Sequence, residues 1–198
     1  MSDATELVEQ APVQDRDLLQ RLSLYFDAFE QRLRQGEGWF IFNAEGKRGV
    51  RISTFIQRRL DDVGADVDAC MMPWRDFSLS AYVTEVGLPE LAPKVHSDET
   101  NERLRREFEF AREVTDQVWQ RCQSAELLVV TDLRPRQTHE AAFLDRTVAQ
   151  RYATRRATIL LTPEMPAELE ADLHTIDPTR PTWNRLFSRM YETSLVAL

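Results

Sequence analysis

The chain has 198 residues, with 33 acidic and 25 basic side chains, a formal charge of −8 and 42% hydrophobic content. A chain of this length reads as one soluble globular domain, burying about 70% of the surface it exposes when unfolded. The acidic balance argues against a strongly basic nucleic-acid binder, because attraction to phosphate scales with the basic residues presented. Only Lys47 and Lys94 are lysine, which leaves 23 arginines, a composition expected of a genome-wide arginine bias. Cys70 and Cys122 are too few and too far apart in sequence for a disulfide scaffold or a zinc site. His96, His139 and His174 have no second ligand at three- or four-residue spacing, so no metal site is predicted. No apolar run approaches 18 residues, so no membrane span is predicted and the expected location is the cytoplasm. Residues 1–16 lack the charged-then-apolar pattern of a signal peptide. They are expected to form a mobile acidic tail ahead of a domain covering 17–198.

Leu18, Leu22, Tyr25, Phe26, Phe29 and Leu33 recur at three- and four-residue intervals and predict one amphipathic helix ending at Gly36 and Gly38. The short apolar run Trp39–Phe42 predicts a buried strand. A polar turn follows over Asn43–Gly49, then a helix marked by Ile52, Phe55, Ile56 and Leu60 that stops near Gly64. Val67–Met72 predicts a second strand closed by Pro73, and residues 74–100, with Pro89 and Pro93, predict short helical pieces and loops. Leu104, Phe108, Ala111, Val114, Val118 and Cys122 restore a helical period. Leu127–Thr131 is the clearest strand, with Asp132 at its end. Thr138 is expected to cap the helix that follows. Ala157–Leu161 predicts a strand, Pro166–Leu173 a short helix, Trp183–Tyr191 a helix and Ser194–Leu198 a terminal strand. Strands alternating with helices predict a parallel sheet covered on both faces.

The stretch YFDAFEQRLRQGEGWFIFNAEG resembles the approach to the phosphate loop in AAA+ ATPases of the DnaC-type helicase loaders and IstB-type transposition helpers. AELLVVTDL is similar to that family's Walker B strand, ATILLTPEMPAELEADL to its sensor-1 strand and following helix, and RLFSRMYETSLVAL to its arginine-finger segment and last core strand. The ordered set covers about residues 20–198. The resemblance implies a three-layer, P-loop NTPase-like α/β domain with a parallel five-stranded sheet; the chain ends where the family's lid would begin.

A phosphate loop needs glycines whose backbone amides wrap phosphate, a lysine for the β- and γ-phosphates and a hydroxyl for Mg²⁺. With Asn43 at the first glycine, the loop reads Asn43-Ala44-Glu45-Gly46-Lys47-Arg48-Gly49-Val50, placing Gly49 at the lysine position and Val50 at the hydroxyl. A rival register pairs Gly46 with Lys47, leaving Arg48 at the hydroxyl position and Ile41 at the first glycine. Thr131 stands where the Mg²⁺-linked aspartate belongs, with Asp132 at the second acidic position, and the sensor-1 polar residue falls at Pro163 or Glu164. Phosphoryl transfer depends on positioning and charge stabilisation, so these departures predict a catalytically degenerate ATPase. No cofactor is expected, weak ATP or ADP binding being the most that such a loop retains.

Arg189 matches the family's arginine-finger position. Arg134, Arg136, Arg155 and Arg156, with Arg58, Arg59 and Arg151, are candidate phosphate contacts. The reading is a degenerate AAA+-like adaptor that joins a protein partner: an ATPase paralogue, a helicase or a transposase-linked complex. A hetero- or homo-oligomer is expected, with any DNA association indirect. The enzyme alternative is a divergent ATPase using Lys47, Asp132 and Arg189. The third reading is a DNA-binding module.

Overall fold

The computed structural model describes residues 11–86 and 99–198. Strands β1 (Gly38–Ile41), β2 (Ala69–Pro73), β3 (Leu127–Thr131), β4 (Ala157–Leu161) and β5 (Ser194–Ala197) form one sheet in the order β2-β3-β4-β1-β5. Every pairing is parallel, with Trp39 opposite both Ile159 and Leu195, and Leu127 opposite both Ala69 and Ala157. Parallel neighbours require crossovers, and helices supply them: α1 (Val13–Asp27), α2 (Phe29–Gln35), α3 (Gly46–Val63), α4 (Trp74–Val86), α5 (Glu99–Ser124), α6 (Thr138–Ala153), α7 (Pro166–Ile176) and α8 (Thr182–Thr193). The three-layer α/β fold with a five-stranded parallel sheet is the one the sequence predicts.

The pleat divides the core in two. Trp39, Ile41, Val129, Ile159 and Leu161 face α1, α2 and α3, where Leu19, Leu22, Tyr25, Ile52 and Phe55 meet them. Phe40, Phe42, Leu128, Val130 and Leu160 face the opposite way, toward Phe77, Trp119, Phe143, Leu169 and Leu186. A strand buried on both faces reads as a largely apolar run, as Trp39–Ile41 of β1 and Ile159–Leu161 of β4 do. Each such side chain contributes roughly 1.5–3 kcal/mol when taken wholly from water.

Several boundaries move. The helix expected over 18–33 is broken at Ala28, whose backbone (φ −108°, ψ 26°) turns Phe29 inward against Phe26, with ring centroids 4.9 Å apart. The expected tail boundary after residue 16 falls inside α1: Val13 opens the helix, and Asp15 is 1% exposed. Asp15 accepts from Arg48 Nε at 3.1 Å and is also paired with Arg51, so two cations on α3 hold this segment in the fold. The polar turn expected over 43–49 shortens, because α3 opens at Gly46. A single helix, α4, fills Trp74–Val86 where short pieces were expected. Gln137, rather than Thr138, occupies the cap position of α6, and Thr138 Oγ1 instead donates to Ile176 O at 3.1 Å. Pro89, Pro93 and residues 1–10 lie outside the described residues.

Candidate functional site

In an open parallel sheet the loops at the carboxyl ends of the strands form the ligand-binding edge. Here these are Phe42–Glu45 after β1, Asp132–Gln137 after β3 and Thr162–Met165 after β4. β4 lies between β1 and β3, so all three loops converge on one side of the sheet.

They are stitched together by their own backbone. Thr162 N donates to Ile41 O at 2.9 Å, Ala44 N to Thr162 O at 2.8 Å, Asn43 N to Glu164 O at 3.1 Å, and Leu133 N to Leu161 O at 2.8 Å. Phe42 N extends the seam to β5, reaching Ala197 O at 2.9 Å. The fully buried Thr162 is the knot: its hydroxyl donates to Leu133 O at 3.0 Å and accepts from Glu164 N at 3.2 Å. Sequence reading placed the polar residue after this strand at Pro163 or Glu164 and missed Thr162. Its signal was a hydroxyl immediately after the apolar run that ends at Leu161.

The two loop registers meet the β1–α3 connection at different points. Gly46 (φ +52°) opens α3 and Lys47 follows it, so the pairing of Gly46 with Lys47 coincides with a helix N-terminus. In the other register Gly49 and Val50 lie one turn into α3. Gly49 serves packing: a Cβ there would lie 2.2 Å from Ala44 O. Lys47 is exposed. Among the described residues the backbone amides of Glu45, Gly46 and Lys47 have no backbone acceptor, and those of Arg48 and Gly49 bond to Glu45 O at 3.1 and 3.2 Å.

Arg48 turns away from any ligand and inward. Its guanidinium donates to Asp15, to Phe42 O at 3.2 Å, to Asn43 O at 2.8 Å and to Leu198 O at 2.8 Å. One side chain thus ties α1, the loop and the end of the chain to the first turn of α3. Asn43 and Asp132 both adopt left-handed backbone (φ 52°), a conformation that Asn and Asp tolerate better than other non-glycine residues. Asn43 is the second residue beyond β1 and Asp132 the first beyond β3.

The mouth is acidic and cross-linked. Arg134 Nε donates to Asp132 at 3.1 Å, and its guanidinium lies 3.6 Å from Glu45, so it bridges the loops after β1 and β3. Arg136 contacts Asp172 at 3.0 Å and Glu164 at 3.5 Å. Burial, helped by the negative field of Asp172, raises the Glu164 carboxyl above its ordinary range. Thr131 ends β3 opposite Pro73. The structure therefore gathers Asn43, Glu45, Gly46, Lys47, Thr131, Asp132, Arg134 and Arg136 on one edge.

It does not gather the rest. Arg155 and Arg156 precede β4, at the amino end of the sheet, while Arg134 and Arg136 follow the carboxyl end of β3. Five strand residues at ~3.3 Å each separate the two pairs, so they do not form one strip. Arg58 and Arg59 lie late in α3, with Arg59 on Asp27 at 2.6 Å. Arg151 is wholly buried. Arg189 lies on α8 with its guanidinium on Asp145 at 2.7 Å, beside Arg185 on the same carboxylate at 2.8 Å.

No family model matches the chain, and no curated protein matches it. Among solved structures, the crystal structure of the DnaC helicase loader aligns with a TM-score of 0.60, over 95% of this chain and 92% of that chain, at 13% sequence identity. The chain shares its fold with that structure. At that identity the likeness concerns the fold. No described helix is long and apolar enough to cross a membrane.

Proposed function

We propose that this chain is a catalytically degenerate, DnaC-like adaptor that assembles with a partner ATPase, a helicase or a DNA-processing complex. The observation that carries the reading is the way the β1–α3 connection is used. Phe42–Glu45 separate strand from helix, and the amides of Asn43 and Ala44 donate to Glu164 O and Thr162 O. Arg48 stands where the hydroxyl of a phosphate loop would hold Mg²⁺, and its donors are taken by Asp15 and by three carbonyls. The Asp132 carboxylate, in the Walker B remnant, is held by Arg134. A site that positions neither metal nor water has little with which to stabilise a phosphoryl transition state.

Titration calorimetry with ATP and Mg²⁺ tests this, alongside steady-state turnover. The expected result is no turnover above a Lys47→Ala control. Turnover that Lys47→Ala abolishes would overturn the adaptor reading.

A second reading keeps nucleotide binding without hydrolysis. It is favoured by the exposed Lys47 and the unpaired amides of Glu45, Gly46 and Lys47, because a helix N-terminus with free N–H groups suits an anion. Saturable ATP binding that is lost in Lys47→Ala, with no turnover, distinguishes it. Trans action by Arg189 requires release from Asp145. Unchanged stimulation of a partner ATPase by Arg189→Ala would reject it.

A further inference from the structure

The sheet has two edges, and they are built differently. At one, β2 follows Asp66 and Asp68 and ends in Pro73, and charges and proline discourage another strand from adding. At the other, β5 and the residue after it read Ser194-Leu195-Val196-Ala197-Leu198, without a charged side chain or a proline. Among the described residues β5 pairs with β1 alone. Ala197 lies opposite Ile41, and its carbonyl accepts from Phe42 N at 2.9 Å. The backbone groups of Ala197, and of Leu195 two residues earlier, therefore point to β1. Those of Ser194 and Val196 point outward, where no described strand meets them.

An aromatic face borders this edge. On α8, Trp183, Phe187 and Tyr191 recur every four residues, with ring centroids 5.0 and 5.9 Å apart and interplanar angles of 28° and 25°. The opposite flank of α8 is engaged with α6, through Arg185 and Arg189 on Asp145 and Glu192 on Tyr152. The stacked rings look away from α6, toward β5. Trp183 and Phe187 pack against the second core, as Val196 does, and Trp183 lies 6.4 Å from Phe42. Tyr191 is 69% exposed, and Leu195, on the other face of the strand, is 42% exposed.

We propose that this edge is a self-association surface, on which a second copy of the chain adds its β5 antiparallel about a two-fold axis at Val196. The outward-pointing set is symmetric about that residue. Val196 falls opposite Val196 of the other copy, and the two exchange both N–H···O bonds. Ser194 falls opposite Leu198, whose oxygen Arg48 holds in place at 2.8 Å. Such an axis stands perpendicular to the sheet, so the two aromatic ladders meet on one face and Leu195 meets Ala197 on the other. A chain of charge −8 repels its own copy, and contact through this strand and these rings sets no charged side chain against another. A strand pair of about 13 Å, at ~3.3 Å per residue, falls short of the roughly 1,000 Å² of a specific interface, so the rings have to supply the remainder. The proposal stands apart from the question of nucleotide binding.

Sedimentation velocity of the full chain over a concentration series tests this, together with amide hydrogen exchange. The expected species has twice the 23.1 kDa mass of one chain. The outward Val196 amide is expected to gain protection as the dimer forms, while those of Leu195 and Ala197 are protected throughout. Val196→Pro removes that outward donor without touching a bond to β1, and is expected to leave a folded monomer. Tyr191→Ser, at an exposed position, is expected to weaken association by about tenfold or more. A chain that stays monomeric up to about 100 µM overturns the proposal. So does an oligomer that both variants retain, or one in which the Val196 amide stays unprotected. Should Val196→Pro fail to fold, wild-type exchange and Tyr191→Ser decide.

Discussion

Arg151 is the side chain whose removal is expected to cost the fold most for its position. It is wholly buried on α6 and has no carboxylate within ion-pairing distance among the described residues. Its guanidinium donates to Thr158 Oγ1 at 3.0 Å and to the carbonyls of Cys122 (3.1 Å), Gln123 (3.2 Å), Ala125 (3.0 Å) and Ala157 (2.6 Å). Three of these acceptors lie at the end of α5, where helix carbonyls lack intrahelical donors. In Arg151→Met the carbonyls of Cys122, Ala125 and Ala157 remain buried without this donor, at about 1–3 kcal/mol each. Against that stands the desolvation of the cation. Burial first, then Arg156, lowers its pKa to about 10. Set against an ordinary value near ~12.5, the removed charge returns roughly 3 kcal/mol. The expected net loss is about 3 kcal/mol, read from urea unfolding as a lower midpoint at unchanged slope. Arg151→Lys keeps the charge but presents it at a single point, and is expected to recover less than half of the loss. A loss below about 1 kcal/mol for Arg151→Met, or a lysine variant as stable as wild type, would refute the reasoning.

Other substitutions probe the site. Gly49→Ala gains up to ~1 kcal/mol of helix propensity. Its Cβ meets Ala44 O at 2.2 Å, so a lower calorimetric melting temperature is expected, with a net loss of about 1–3 kcal/mol from overpacking. Asp15→Asn leaves Arg48 and Arg51 facing a neutral amide; a loss of about 2–3 kcal/mol is expected, with amide protection falling first along α1. Wild-type protection in α1 of the variant would exclude a clamping role. Glu164 has a raised pKa in the fold, so its protonated form stabilises. That contribution is complete below the unfolded value of ~4.3 and is lost as pH rises through the folded value. Glu164→Gln is therefore expected to flatten the decline in urea stability just above pH ~4.3 and to match or exceed wild type at neutral pH; an unchanged slope would count against it.

The strands were the most legible part of the chain because burial on both faces leaves a largely apolar signature. Ala157–Leu161 and Leu127–Thr131 begin and end where the residues change character. Helix boundaries moved where a distant partner outweighed local pattern. Asp15 reads as a solvated acid in a polar tail, and its burial depends on Arg48 and Arg51, more than 30 residues away. Arg151 looks like one more surface arginine in an arginine-rich chain, yet it is the largest polar side chain in the core, since its acceptors come from α5 and β4. The same limit hid the approach of Cys122 to Met72, which only the packing of α5 on β2 creates. At the candidate site the residue types were legible, but the loop register was not, because periodicity does not reveal that α3 opens at Gly46.

That opening point bears directly on the proposed function. In the register that pairs Gly46 with Lys47, four of the eight residues (Phe42–Glu45) lie between β1 and α3 and the last three (Gly46–Arg48) open the helix. A phosphate cradle needs free backbone amides that curve around the ligand. In this chain the first two amides past Phe42 are committed to the β4 loop, and only those of Glu45, Gly46 and Lys47 remain for an anion. Restoring a hydroxyl at Arg48 alone would remove the donors now held by Asp15 and by Leu198 O. Arg48→Thr is therefore expected to loosen α1 and the end of the chain without creating hydrolysis. Measurable ATP turnover in that single variant would mean that the missing hydroxyl, rather than the tethered loop, is what separates this fold from a working ATPase.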